Sequence, residues 1–476
     1  MTTVTELKNI LLRQQRAFRK QGMSDITSRK NRIDRAIALL VDNQQMLCDA
    51  MNGDFHGRSL HQSLMADIYG TIASLKYSKN NLSQWVKIEK RKVQPPLNFF
   101  GAKAHIQYQP KGVVGAIATW NFPVWVPFSS LGGIFAAGNR CMIKLSESTP
   151  HTSLLLEKLI AQYFDQEELA AINGDEAIGE AFSKLAFDHL IFTGAARVGK
   201  KIMREAAENL VPVTLELGGK SPVIIGRDAD IKKTAASLVL GKILNAGQVC
   251  LSPDYVFVKE NSLNDLIAEL ERSLAKHFPN ILINPDYGSV INERHYHRLM
   301  GYLEDAKNKG GEIWEISPAR ENFSLQVNTY KIPLTLIINP SEDMLIMQEE
   351  IFGPILPIKS YHHIDEVIEY LSNKEKPLAL YYFGENKKEQ AKIIGNTASG
   401  GVTINDVIQH VSCEDLPFGG VGASGMGQYH GIEGFKTFSH ARAIYKQSNV
   451  NMMALAGLLP PYTHKAASVL RRMIKK

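Results

Sequence analysis

The sequence predicts an α/β protein: two Rossmann-like domains, each a parallel sheet covered by helices, plus a small β bridging or oligomerisation element. Three observations lead there. The chain has 476 residues, too many for one ordinary core, and its 44% hydrophobic and 21% charged content is that of a globular protein. From residue 113, short apolar runs (VVGAIAT, CMIKL, HLIFTG, PVIIG) alternate with helical stretches such as HTSLLLEKLIAQYF and RVGKKIMREAAENL. That alternation marks parallel strands buried on both faces. It resumes after about residue 217 with YVFVKE, then a helix with Leu263, Leu266, Ile267, Leu270 and Leu274 on one face, then PLALYYFG and GVTIN.

Taken in order, residues 1–93 read as helical, with Ile33, Ile37, Leu40 and Val41 recurring at helical spacing. Pro95–Pro96 end that run. KAHIQYQPKG then alternates apolar and polar residues up to a turn, which predicts a hairpin or edge ribbon. The breaks predict a first α/β domain from 1–94 and 111–217, a second from 218–400, and a bridging element from 95–110 and 401–476. The tail carries Pro460–Pro461 and a short basic helix over Lys465–Lys476. A solvated helix packing on a partner subunit outweighs a membrane-surface helix there, because one basic helix binds a bilayer only marginally.

Composition narrows the function. A net charge of +6 is mild for this length, and no basic stripe interleaves with aromatics, so nucleic acid is not an expected partner. Cys48, Cys141, Cys250 and Cys413 lie far apart with no CxxC pair, so neither a metal site nor a disulfide framework is expected. The N-terminus lacks the apolar core and cleavage site of a secretory signal. No stretch approaches the roughly 18 apolar residues of a membrane span. A reducing, cytoplasmic location is the default.

Six segments can carry chemistry. NAGQVC places Cys250 after a small-residue turn; a buried apolar thiol is the bland alternative. HLIFTGAARVGKKI runs from a strand through Thr193, Gly194 and Gly199 into a helix, where backbone can approach a pyrophosphate, though the spacing is not GxGxxG and, taken alone, the segment reads better as an ordinary strand–helix turn. CMIKLSE sets Lys144 and Glu147 at a strand's carboxyl end, where they can meet ribose hydroxyls or form a solvated charge pair; a carboxylate there repels a 2′-phosphate and tilts the choice to NAD. WNFP offers Asn121 as a donor to an oxyanion, or as a turn asparagine. ELGGKSP offers Glu216 as a general base, or as a partner of Lys220. EEIFGP offers Glu350 and Phe352 to a cofactor ribose, or forms a charged loop with an anchoring aromatic.

All six in one chain, running WNFP, CMIKLSE, HLIFTG, ELGGKSP, NAGQVC, EEIFGP, resemble the aldehyde dehydrogenase superfamily, from WNFP to PFGGVGASGMGQYHGIEGFKTFSH. NDVIQHVSCEDLPFGGVGASGMGQYHG is similar to the dimeric, class-three-like branch, and the HV…DLPFGGVG run with the LLPPY tail most resembles its bacterial coniferyl aldehyde dehydrogenases. The resemblance implies an NAD-binding first domain, a catalytic second domain and a homodimer. It implies NAD, with NADP as the alternative, and oxidation of an aromatic or medium-chain aldehyde to the acid. Cys250 would be the nucleophile, Asn121 and the Cys250 N–H the oxyanion donors, and Glu216 the base for thioester hydrolysis. Lys144, Glu147, Thr193, Gly194, Gly199, Glu350 and Phe352 would hold the cofactor. Trp125, Val249, Leu251, Ile408, His410 and Phe418 would line the substrate channel. Leu145 departs from the usual KPSE, and Ala195 stands where a Ser or Thr is common, removing one hydroxyl near the phosphates. Acyl transfer to CoA and thiol-esterase chemistry are the alternatives at the same cysteine.

Overall fold

The computed structural model describes residues 3–327 and 329–474. Its first large sheet has six strands in the order Gly425–Met426, Val213–Leu217, His189–Gly194, Val113–Ile117, Arg140–Lys144, Leu169–Ile172. All neighbours are parallel except Gly425–Met426, which is antiparallel to Val213–Leu217. The chain builds outward from Val113–Ile117 on one side, then crosses to His189–Gly194 on the other. That reversal opens a crevice at the carboxyl ends of these two strands, where open α/β sheets take ligands. WNFP follows one of them and Gly194 ends the other.

The second sheet has seven strands in the order Glu312–Ile316, Leu334–Ile338, Ile355–Tyr361, Tyr255–Lys259, Pro222–Ile225, Ala379–Phe383, Gly401–Ile404, with only the first antiparallel. Its five inner strands are largely apolar and buried because helices cover both faces, while the edge strands Glu312–Ile316 and Gly401–Ile404 are mostly part-exposed. A third, antiparallel sheet joins Glu89–Arg91, Lys103–Pro110 and Ser439–Lys446.

Three sequence expectations need correcting. The helical region ends at Trp85, and Glu89–Arg91 is a strand paired to Ala104–Ile106. That short charged run carries no periodicity of its own and is ordered by its partner. Lys103–Pro110 pairs antiparallel with the preceding strand Glu89–Arg91 but is the central strand of its sheet, not an edge, because Ser439–Lys446 pairs along its full length; the Pro-Lys-Gly turn leads out of this sheet into Val113–Ile117. Residues 401–476 do not form one bridging unit: Gly401–Ile404 joins the seven-stranded sheet, Gly425–Met426 the six-stranded one, and Ser439–Lys446 the third. The tail helix spans His464–Ile474; Met1 and Thr2 of the first predicted domain, and Lys475 and Lys476 of the predicted tail helix, lie outside the described residues.

The helix Trp125–Ala137 is buried on every side, so it behaves as a core element rather than an amphipathic one. Small residues make this feasible. A Cβ on Gly133 would come within 2.9 Å of the Gly434 backbone, and one on Gly132 within 2.7 Å of Ser78 Oγ. Two neighbouring helices therefore pack close to it, and the loop ahead of it, which holds Asn121, is built on a rigid base.

Candidate active site

A cavity of about 1010 Å³ lies where the carboxyl ends of both large sheets meet, and Asn121, Glu216 and Cys250 all line it. Cys250 owes its place to the turn before it. Asn245, Ala246 and Gly247 have φ of 50°, 55° and 74°, a left-handed run that costs about 1–2 kcal/mol per non-glycine residue. Gly247 is required, since a Cβ there would overlap the Gly353 carbonyl. The fully buried Gln248 splints the turn: its Nε2 donates to Asn245 O at 2.9 Å and Ser289 O at 3.0 Å, and its Oε1 accepts from the Ile291 N–H at 2.9 Å. These bonds offset the strain and fix the thiol's direction.

Asn121 is held from both ends. Its Nδ2 donates to Gln248 O at 3.0 Å, which leaves its second amide hydrogen for a ligand oxygen. Its carbonyl oxygen accepts from Asn245 Nδ2 at 2.9 Å and Arg58 Nη1 at 3.0 Å. Arg58 pairs with Asp67 at 2.6 Å, both side chains essentially inaccessible to solvent. Asp67 Oδ1 then accepts from the N–H groups of Val124 and Trp125, each at 3.0 Å. A π-helical segment, Ser63–Tyr69, turns Asp67 inward while Met65 and Tyr69 stay exposed at the cavity mouth. Such turns recur at functional sites.

Glu216, 1% exposed, is the next-to-last residue of its strand and faces the thiol. Burial pushes its carboxyl up to about 7, against the opposing contacts of Cys250, Thr193 and Tyr429. Tyr429 donates its hydroxyl to Oε2 at 3.4 Å, and Oε1 has no partner within the described protein. Burial first, and then the facing Glu216, push the Cys250 thiol well above its ordinary value. The resting thiol therefore keeps its proton. A carboxyl that ionises near neutrality beside a protonated thiol has the chemistry a proton-transfer couple requires.

The cofactor residues of the sequence reading spread along one edge. Thr193, Gly194, Glu350 and Phe352 line the cavity. A Cβ on Gly194 would sit 2.6 Å from the Phe192 ring. The helix Ala196–Ala207 begins without a side-chain cap because Ala195 has none to offer, so its first N–H groups are free for an anion. Gly199 packs the helix on Leu217 and does not line the cavity. Buried Lys144 ends its strand beyond the cavity wall, 3.4 Å from Glu147 Oε2, whose side chain is 57% exposed. Glu350 fits only because residue 218 is glycine; a Cβ there would overlap both carboxylate oxygens. Burial, then Asp254, push the Glu350 carboxyl up to about 8. Lys220 fastens this loop through Asp254 and through Ile346 O at 2.7 Å and Glu349 O at 2.8 Å. Phe352 meets Trp120 edge-on at 5.4 Å. An uncapped helix start, glycines where backbone must be bare, a buried lysine and a buried carboxyl fit a dinucleotide.

On the other side, Trp125, Val249, Leu251, Ile408 and Phe418 line the cavity as expected. His410 does not. Its Nδ1 shares a hydrogen bond of 2.8 Å with Thr403, its ring packs over Gly401, and burial pushes it down to about 4. It is a neutral histidine supporting the loop. Sequence reasoning missed Trp120, Phe122, Leu240, Leu244 and Glu414 in the lining, and Tyr429 beside Glu216. Leu240 could have been found as an apolar residue on the outward side of its helix. Nothing local marks Tyr429. Among the described residues no group of three His, Cys, Asp or Glu could hold a metal.

The family model described as the aldehyde dehydrogenase family matches residues 2–444. A probable coniferyl aldehyde dehydrogenase of Caulobacter vibrioides is 49% identical over 99% of this chain and 97% of its own. The coniferyl aldehyde dehydrogenase of a Pseudomonas strain is 50% identical over 98% and 96%. The substrate-bound structure of Staphylococcus aureus AldH superposes with a TM-score of 0.91 at 35% identity, covering both chains completely. The chain therefore belongs to the aldehyde dehydrogenase family, the enzymes that oxidise aldehydes with NAD(P).

Proposed function

We propose that the chain oxidises aromatic aldehydes such as coniferaldehyde, and medium-chain aliphatic ones, to the acid at Cys250, with NAD preferred over NADP. The observation that carries the reading is the convergence of Cys250, Glu216 and Asn121 on one cavity. Glu216 takes the thiol proton as Cys250 Sγ attacks the aldehyde carbon. The oxygen of the resulting thiohemiacetal meets the free Asn121 amide hydrogen and the Cys250 N–H; one such donor contributes about 3 kcal/mol to the transition state. When bound, NAD(P) supplies the hydride acceptor, held by Lys144, Glu147, the Gly194 turn, Glu350 and Phe352. A thioester then remains on Cys250. Glu216 passes the thiol's proton to bulk solvent and, ionised again, removes a proton from the water attacking that carbonyl; it returns this second proton to the departing Cys250 sulfur as the acid leaves.

The substrate class rests on the apolar, aromatic wall formed by Trp120, Phe122, Trp125 and Phe418 and on the kinship with coniferyl aldehyde dehydrogenases. The tilt to NAD rests on Glu147, which would repel a 2′-phosphate. Acid formed from coniferaldehyde with NAD and no CoA is the expected result, abolished in Cys250→Ser; strict dependence on CoA would overturn the hydrolytic step.

A cytoplasmic homodimer completes the reading. Ser439–Lys446 is an eight-residue edge strand with mostly exposed side chains and, among the described residues, an unpaired outer edge. Such edges are normally covered. No helix among the described residues is long and apolar enough to cross a membrane. Light scattering is expected to give twice the chain mass.

A further inference from the structure

We propose that Glu414 is a specificity-determining residue that accepts a hydrogen bond from the para-hydroxyl of an aromatic aldehyde. The inference rests on the aldehyde-oxidising reading above. Away from the two sheet edges the cavity wall is largely apolar, with Ala73, Trp125, Leu240, Val411 and Phe418. Glu414 is part of that wall. Among the described residues its side chain takes one hydrogen bond, from Ser74 Oγ to Oε2 at 3.0 Å. A carboxylate offers about four acceptor positions, so most of its capacity is unused. Nothing cationic neighbours it: burial pushes the carboxyl up to about 7, and only the Ser74 hydroxyl opposes that.

The segment is built in, not draped over the mouth. Tyr77 donates its hydroxyl to the adjacent Asp415 at 2.6 Å. The Glu414 carbonyl presses on Gly431, at φ +50°, where any Cβ would overlap it. A half-buried carboxyl in an apolar wall is costly unless a donor meets it. With the reacting carbonyl at Cys250 and Asn121 and the ring among Trp125 and Phe418, the substituent opposite the aldehyde is the part left to reach this wall. A phenol O–H is a donor. Its methyl ether is not.

The test measures kcat/KM with NAD for coniferaldehyde, its 4-O-methyl ether, its 4-deoxy analogue and hexanal. The deoxy compound is smaller than coniferaldehyde, so its loss cannot be steric. Wild-type protein is expected to favour coniferaldehyde over both analogues by about tenfold. Glu414→Leu brings both ratios close to one, whereas Glu414→Gln, which keeps a carbonyl acceptor, retains part of the preference. Equal kcat/KM for the three aromatic aldehydes in wild type would overturn the proposal, and so would a preference that survives Glu414→Leu. Absence of NADH from every aldehyde, hexanal included, would instead overturn the underlying reading and the proposal with it.

Discussion

Arg58 Nη1 donates to the main-chain oxygen of Asn121 at 3.0 Å, while its Nη2 pairs with Asp67. The guanidinium also lies over the rings of Phe55 and Phe122. The proposed oxyanion donor is therefore held by a buried charge whose partner sits on a separate helical segment and itself grips Val124 and Trp125.

Breaking this pair is expected to cost both stability and rate. Asp67→Asn leaves Arg58 buried without a counter-charge, which costs about 3–5 kcal/mol. Urea unfolding measures the loss. The unpaired guanidinium no longer holds the Asn121 main-chain oxygen in place, so kcat on hexanal falls more than KM rises. A variant that unfolds like wild type would show the pair to be dispensable.

Glu216→Gln predicts a stability gain that depends on pH. In the folded protein Glu216 holds its proton up to about 7, against an ordinary value of 4.5. Between those values the native state binds more protons than the unfolded chain, so stability from this group is fully present at low pH and lost as pH rises towards 7. The difference corresponds to about 3 kcal/mol. Denaturation at pH 5 and pH 8 should show Glu216→Gln gaining over wild type only at the higher pH, while losing acid production at both. An equal gain at both pH values would contradict the assignment.

Tyr429→Phe addresses the same carboxyl from the other side. The hydroxyl donates to Glu216 and favours its ionised form. Its removal raises the value further, so the acid limb of the kcat–pH profile moves to higher pH and kcat at pH 7 drops severalfold. Tyr429 sits 213 positions from Glu216.

That separation explains what the sequence could and could not reveal. Cys250, Glu216 and Asn121 each sit in a short motif whose turn chemistry is local, and the alternation of apolar runs marks both sheets. Long-range partners leave no such trace. The Arg58–Asp67 pair looks like ordinary surface charge until a π-helical turn carries Asp67 inside. The third sheet is drawn from segments more than 300 positions apart. The family resemblance puts His410 in the channel with Ile408 and Phe418, yet its ring turns to Thr403, two residues after Ile408 takes a φ of 68°.

Gly218→Ala tests the cofactor end. The added methyl would occupy the space of the Glu350 carboxylate, which is fenced in by the Gly219 N–H, Lys220 and Arg298. Glu350 must swing away, while Cys250, Glu216 and Asn121 keep their own supports in the Gln248 and Arg58 networks. KM for NAD is therefore expected to rise by about tenfold, equivalent to ~1.4 kcal/mol of binding, well beyond any change in KM for hexanal. Cofactor titration followed by quenching of tryptophan fluorescence gives the same comparison without turnover, since Trp120 packs on Phe352, two residues from Glu350. If KM for hexanal rose and that for NAD did not, Glu350 would belong to the substrate side of the cavity.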